Sequence, residues 1–174
     1  MEEGTVGLDL VRHRDPPRRR LTEALRALFL AVLVAFVVLA LLNVFGQRQS
    51  KSRASSAVAT MTVSSPPRVR GGLLYQARIH VHAHRAIQQP NIVLDEGWFQ
   101  QTTVNAIEPQ PSNESSQGGG VQLSYDAMKP GDTLVVWVYF QVNPTNIGRH
   151  HTDVELDDGA KQLLAVNRRQ FNFP

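Results

Sequence analysis

The chain has 174 residues, 42% of them hydrophobic, and no cysteine, which leaves room for about one domain and excludes both a disulfide scaffold and a thiolate metal centre. A formal net charge of +3 does not make it a nucleic-acid binder. From Val69 onward eight Lys and Arg stand against ten Asp and Glu, so the basic excess sits near the N-terminus and no nucleic-acid partner is expected. Met1 to Arg20 is polar, mixed in charge and carries Pro16-Pro17, and so reads as a disordered cytoplasmic tail (residues 1–20). Residues 21–46 follow as a transmembrane helix and uncleaved signal anchor. The nineteen positions from Ala27 to Phe45 carry no charge, and at a ~1.5 Å rise they span roughly 28 Å, close to a bilayer core of about 30 Å. Six arginines (Arg12, Arg14, Arg18, Arg19, Arg20, Arg26) precede the apolar run, whereas Arg48, Lys51 and Arg53 are the basic residues just beyond it. The N-terminus is therefore expected in the cytoplasm and the C-terminal part outside the cell membrane. A cleavable secretory signal fits less well, because the apolar core is long and the small-residue pattern Ala57-Val58-Ala59 lies far beyond it.

Residues 47–68 are rich in Ser, Gln, Lys and Arg and end in Ser64-Ser65-Pro66-Pro67, the composition of a flexible stalk, with Val58 to Val63 readable as either stalk or first strand. From there on the period becomes two. Ala77-Arg78-Ile79-His80-Val81-His82-Ala83-His84 alternates small or apolar residues with Arg and His, which predicts a strand with one core face and one wet face. Further strands are expected at Ile92 to Leu94, Trp98 to Ile107, Val121 to Tyr125, Thr133 to Val142, Thr152 to Leu156 and Lys161 to Phe173. Pro109 to Gly120 reads as a mobile loop, Lys129-Pro130-Gly131-Asp132 as a type II turn, and Asp157-Asp158-Gly159 as a hairpin turn. About seven short strands over residues 69–174 predict an all-β fold, an antiparallel β-sandwich of immunoglobulin-like kind. The run Leu134 to Val142 is apolar on both faces, so it should lie centrally, with Leu134, Val136, Val138, Phe140 and Val142 on one side and Val135, Trp137 and Tyr139 on the other.

The sequence Pro130-Gly131-Asp132-Thr133-Leu134, followed by the strand and Phe140-Gln141-Val142-Asn143-Pro144-Thr145, then Gly148 and the Asp-Asp-Gly hairpin, resembles the second half of immunoglobulin-like extracytoplasmic domains in bacterial surface proteins. The whole layout is similar to single-pass membrane proteins of high-GC Gram-positive bacteria, and fifteen Arg against three Lys suits such a genome. The resemblance covers about Val69 to Pro174. It implies a sandwich with a binding or structural role and carries no catalytic residues across.

Two constellations invite chemistry. His80, His82 and His84 share one strand face, and with His150 and His151, or Asp153 and Glu155, they have the donors for zinc or copper; a solvated strand face is the bland alternative. Asp95-Glu96 beside Trp98 has the carboxylate and aromatic content of a sugar site, against a simple polar turn. No nucleophile elbow or phosphate-binding loop is present, so no enzyme and no cofactor are expected. The favoured reading is a membrane-anchored interaction or accessory module that binds another envelope protein or itself, with Trp137, Tyr139, Asn143 and Arg149 as contact candidates; histidine-based zinc or copper binding at the cell surface is the alternative.

Overall fold

The computed structural model describes residues 17–42 and 47–174, which form two separate units. In the first, an α-helix (α1, Pro17–Leu41) opens with proline at its first position, where the missing amide hydrogen costs nothing. Its segment Leu21–Leu41 is long and apolar enough to cross a membrane, and side chains such as Leu28, Phe29 and Val34 are exposed all round it. The helix thus begins inside the stretch expected as tail; Met1 to Pro16 and Asn43 to Gly46, which complete the expected tail and span, lie outside the described residues.

The second unit, residues 47–174, contains thirteen strands among its described residues. They are β1 (Ser50–Ser55), β2 (Ala59–Ser65), β3 (Arg68–Arg70), β4 (Leu74–Ala83), β5 (Pro90–Leu94), β6 (Thr102–Glu108) and β7 (Asn113–Gln117), then β8 (Gly120–Ser124), β9 (Thr133–Val142), β10 (Gly148–His151), β11 (Val154–Asp158), β12 (Lys161–Val166) and β13 (Arg169–Phe173). One sheet has the order β1-β2-β4-β9-β6, a second β12-β11-β5-β8-β7, and a small third β10-β13-β3. All pairings are antiparallel except β13 with β3. The inward residues of the two large sheets, among them Met61, Ile79, Val81, Val136 and Phe140 from the first and Ile92, Leu94, Leu123 and Leu156 from the second, form one core. This is the all-β, largely antiparallel sandwich the periodicity predicts, built with more strands than the expected seven.

The stalk is corrected. Ala59, Met61 and Val63 are fully buried, and β2 runs beside β4 from Ala59↔Ala83 to Ser64↔Arg78, with β1 outside it. Composition hid this because the strand β1 is Ser-Lys-Ser-Arg-Ala-Ser, whose inward residues Ser50 and Ser52 are polar. What they face is Arg168, 6% exposed, whose guanidinium donates to the Ser50, Ser52 and Ser65 hydroxyls and to the Val63 and Ser65 carbonyls at 2.8–3.0 Å. That arginine sits where the expected single strand Lys161 to Phe173 divides into β12 and β13.

Other corrections are local. The expected loop Pro109 to Gly120 contains β7, which pairs with β8 from Asn113↔Ser124 to Gln117↔Gly120. Trp98 lies in a 3-10 turn (Glu96–Trp98) before β6 rather than in it, and is buried. The turns behave as the sequence predicts. Gly131 has φ +92° with the Asp132 amide bonded to the Lys129 carbonyl at 3.0 Å, and Gly159 at φ +61° begins the two-residue link between Asp158 and Lys161.

Candidate functional site

The outer face of the first sheet follows from its register. One row across it reads Lys51, Ser64, Arg78, Trp137, Glu108; the next reads Arg53, Thr62, His80, Val135; a third reads Ser55, Thr60, His82, Thr133; a fourth reads Gln76, Tyr139, Ala106. Cations stand at the β1 side, aromatics on β9 and a carboxylate on β6. Strand β9 has partners on both sides, as its two apolar faces predict. On the inner side Val136, Val138, Phe140 and Val142 are fully buried, while Val135, Trp137 and Tyr139 are half-buried on the outer side. The Arg78 guanidinium lies 5.1 Å from the centre of the Trp137 ring, a cation–π contact that fixes the indole across the strand pair.

The strand β6 reaches this face with a bulge between Val104 and Ala106, where Asn105 has no partner on β9. Bulges re-aim side chains. Beside it a depression of about 580 Å³ is floored by Tyr75 and Phe140, walled by Leu74, Gln76, Ala106 and Tyr139, and rimmed by Gln47, Gln49, Asn105 and Glu108. The buried Tyr75 ring is stacked on Phe140 at 5.2 Å, which makes that floor rigid, and burial pushes its hydroxyl up to about 12. Periodicity gave no sign of this hollow, because its rim joins residues from before β1 to β6.

The predicted histidine site is not assembled. His82 and His84 are neighbours, with ring centres 5.2 Å apart and edge to face, but each is engaged with a hydroxyl: His82 Nδ1 with Thr133 Oγ1 at 3.1 Å, His84 Nε2 with Thr60 Oγ1 at 2.9 Å. His80 is exposed one row away, opposite Thr62 and Val135. His150 and His151 belong to β10, in the small third sheet. There the His150 ring meets the Gln100 amide oxygen at 3.0 Å, and burial lowers its pKa from the ordinary histidine value. Among the described residues no group of three or more His, Cys, Asp or Glu is placed to hold a metal ion.

Of the contact candidates, Trp137 and Tyr139 share the outer face as expected, but Asn143 and Arg149 do not join them there. The Asn143 side chain is turned onto its own segment, accepting from the Thr145 amide at 3.1 Å and hydroxyl at 2.9 Å. Arg149 is exposed on β10, opposite Phe171 on β13. The segment Asn143 to His151 is therefore part loop and part strand.

The carboxylate and aromatic set at Asp95, Glu96 and Trp98 resolves as structure. The Trp98 ring is 1% exposed, stacked on Phe140 at 5.2 Å, and its Nε1–H donates to the Asp153 carbonyl at 3.0 Å, so it has no face to offer a ligand. Burial raises Asp95 to about 6, with the Asp153 carboxylate pushing the same way.

No family model matches the chain, and no curated protein matches it. Among solved structures it is similar to the solution structure of CaCohA2 from Clostridium acetobutylicum, with a TM-score of 0.42 and 10% identity over 60% of this chain and 84% of that one. It is also similar to the N-terminal domain of PorA, with a TM-score of 0.25 and 8% identity over 70% of this chain and 82% of that one. Sandwiches of this kind host unrelated functions, so function has to be argued from the site.

Proposed function

We propose that this protein is a membrane-anchored, extracytoplasmic interaction module without catalytic activity, which binds another envelope protein or a second copy of itself through the outer face of its first sheet. The observation that carries the reading is the pair Trp137 and Tyr139, two positions apart on β9 and half-exposed in a five-stranded face whose other residues, Val135 and Ala106 aside, are polar or charged. Aromatic anchors ringed by polar groups are the usual energetic centre of a protein interface. Lys51 and Arg53 at one side and Glu108 at the other give the face a charge direction, which sets how a partner docks. The apolar helix supplies the anchor, the arginine-rich leader keeps the N-terminus in the cytoplasm, and a high-GC Gram-positive host suits the arginine usage.

Crosslinking from the outer face in cells, followed by affinity purification, tests the reading. Trp137→Ala is expected to cut recovery of the crosslinked partner or dimer roughly tenfold, the cost of losing an interface anchor. Unchanged recovery from Trp137→Ala and Tyr139→Ala alike would place the interface elsewhere, and turnover of a cell-wall substrate by the purified protein would end the non-enzyme reading.

A further inference from the structure

The depression beside Tyr139 differs in chemistry from the rest of the face. Its lining holds four side-chain amides, Gln47, Gln49, Gln76 and Asn105, one carboxylate, Glu108, and no cation, although Arg78 and Lys51 stand one row away. An anion would find no counter-charge there. A primary amide offers both a donor and an acceptor, and so does a hydroxyl, so this set is matched to a ligand dense in hydroxyl groups. Tyr139 adds a half-exposed aromatic side chain, and Leu74 an exposed apolar one, for the C–H faces that such a ligand also carries.

Two further observations point to an extended ligand. The volume of about 580 Å³ lies within the ~300–1,000 Å³ common to ligand clefts. A second depression of about 510 Å³ shares Asn105, Ala106 and Glu108 with the first and continues over β6 to Gln110 and Glu114. The bulge in β6 stands where the two meet, since Asn105, the residue left without a partner in the ladder, lines both.

We infer that this cleft is a carbohydrate-binding site, which takes a neutral oligosaccharide with one sugar ring on Tyr139 and its hydroxyls held by Gln49, Gln76, Asn105 and Glu108. The site shares Tyr139 with the proposed protein interface, while its other polar residues, Gln49, Gln76, Asn105 and Glu108, lie in the depression beside it.

The test is calorimetric titration of the full chain with maltohexaose, cellohexaose and chitohexaose, in zwitterionic detergent so that no sugar head group competes. Saturable binding of at least one of them is expected. Tyr139→Ala and, separately, the exposed-site changes Gln49→Ala and Glu108→Ala should each weaken it roughly tenfold, while Tyr139→Phe keeps the ring and most of the affinity. The surface variants decide the matter if Tyr139→Ala disturbs folding, which an unchanged thermal transition excludes. Failure of all three sugars to bind at up to ~10 mM, or binding that none of the variants alters, would overturn the proposal. The titration reads sugar binding and the crosslinking reads recovery of a protein, so failure of one leaves the result of the other standing.

Discussion

Arg168 is the residue on which two distant parts of the chain meet. Its side chain gathers oxygens from Ser50, Ser52, Val63 and Ser65 while its amide donates to Asp153 Oδ1 at 2.7 Å, so one residue ties the β12–β13 corner to the first hairpin. Arg168→Ala would remove five hydrogen bonds to Ser50, Ser52, Val63 and Ser65 and is expected to destabilise the fold by about 3 kcal/mol in chemical denaturation; lysine should rescue little, since an ammonium cannot reach both edges of the cluster. Gly97 is fixed by space. A Cβ there would fall 1.7 Å from the His151 carbonyl oxygen, so Gly97→Ala must move β10 or the 3-10 turn and should lower the melting temperature by several degrees. Asp95 gives a pH signature of definite sign. Its folded pKa of about 6 lies above the ordinary value of 3.8, so folding takes up a proton between them. Its contribution is complete below the ordinary value and is lost as pH rises through about 6. Stability measured against pH should therefore fall less steeply over that window in Asp95→Asn than in the parent, and identical slopes would refute the assignment.

At the level of elements, β2 is the informative case. Its alternation, Ala59, Met61 and Val63 inward, was visible as a strand candidate in the sequence, but the Ser-rich β1 outside it was not, because strand β1 earns its place by polar contacts with Arg168 rather than by apolar burial. Removal of residues 47–65 is accordingly expected to abolish the cooperative unfolding transition, whereas trimming a tether would leave it intact. Met61→Ala should cost about 2–5 kcal/mol, the range for emptying a fully buried site of that size. Strand β9 was legible throughout, since both its faces are apolar, and so were the Pro-Gly and Asp-Gly turns, whose backbone demands are local. The strand β7 was missed because Asn113 to Gln117 has no apolar residue and all five are exposed.

For the molecule as a whole, the absence of cysteine makes topology directly measurable. A single Thr145→Cys reporter, on an exposed loop, is expected to react with a membrane-impermeant maleimide on intact cells, while Arg14→Cys should react only after permeabilisation. The opposite pattern would reverse the orientation.

The sequence by itself determined what depends on short range or on composition: an apolar helix of membrane-spanning length, an all-β remainder, the central strand and the turns that punctuate it. Only the tertiary structure decided which side chains share a surface, because register brings together residues far apart in the chain. It left His80, His82 and His84 without the ligands of β10, detached Asn143 and Arg149 from the aromatic pair, and buried Trp98 against Phe140. It also gathered Gln47, Gln76, Asn105 and Tyr139 around one hollow, a set that no local pattern contains, since its members are joined by sheet order and a bulge rather than by spacing.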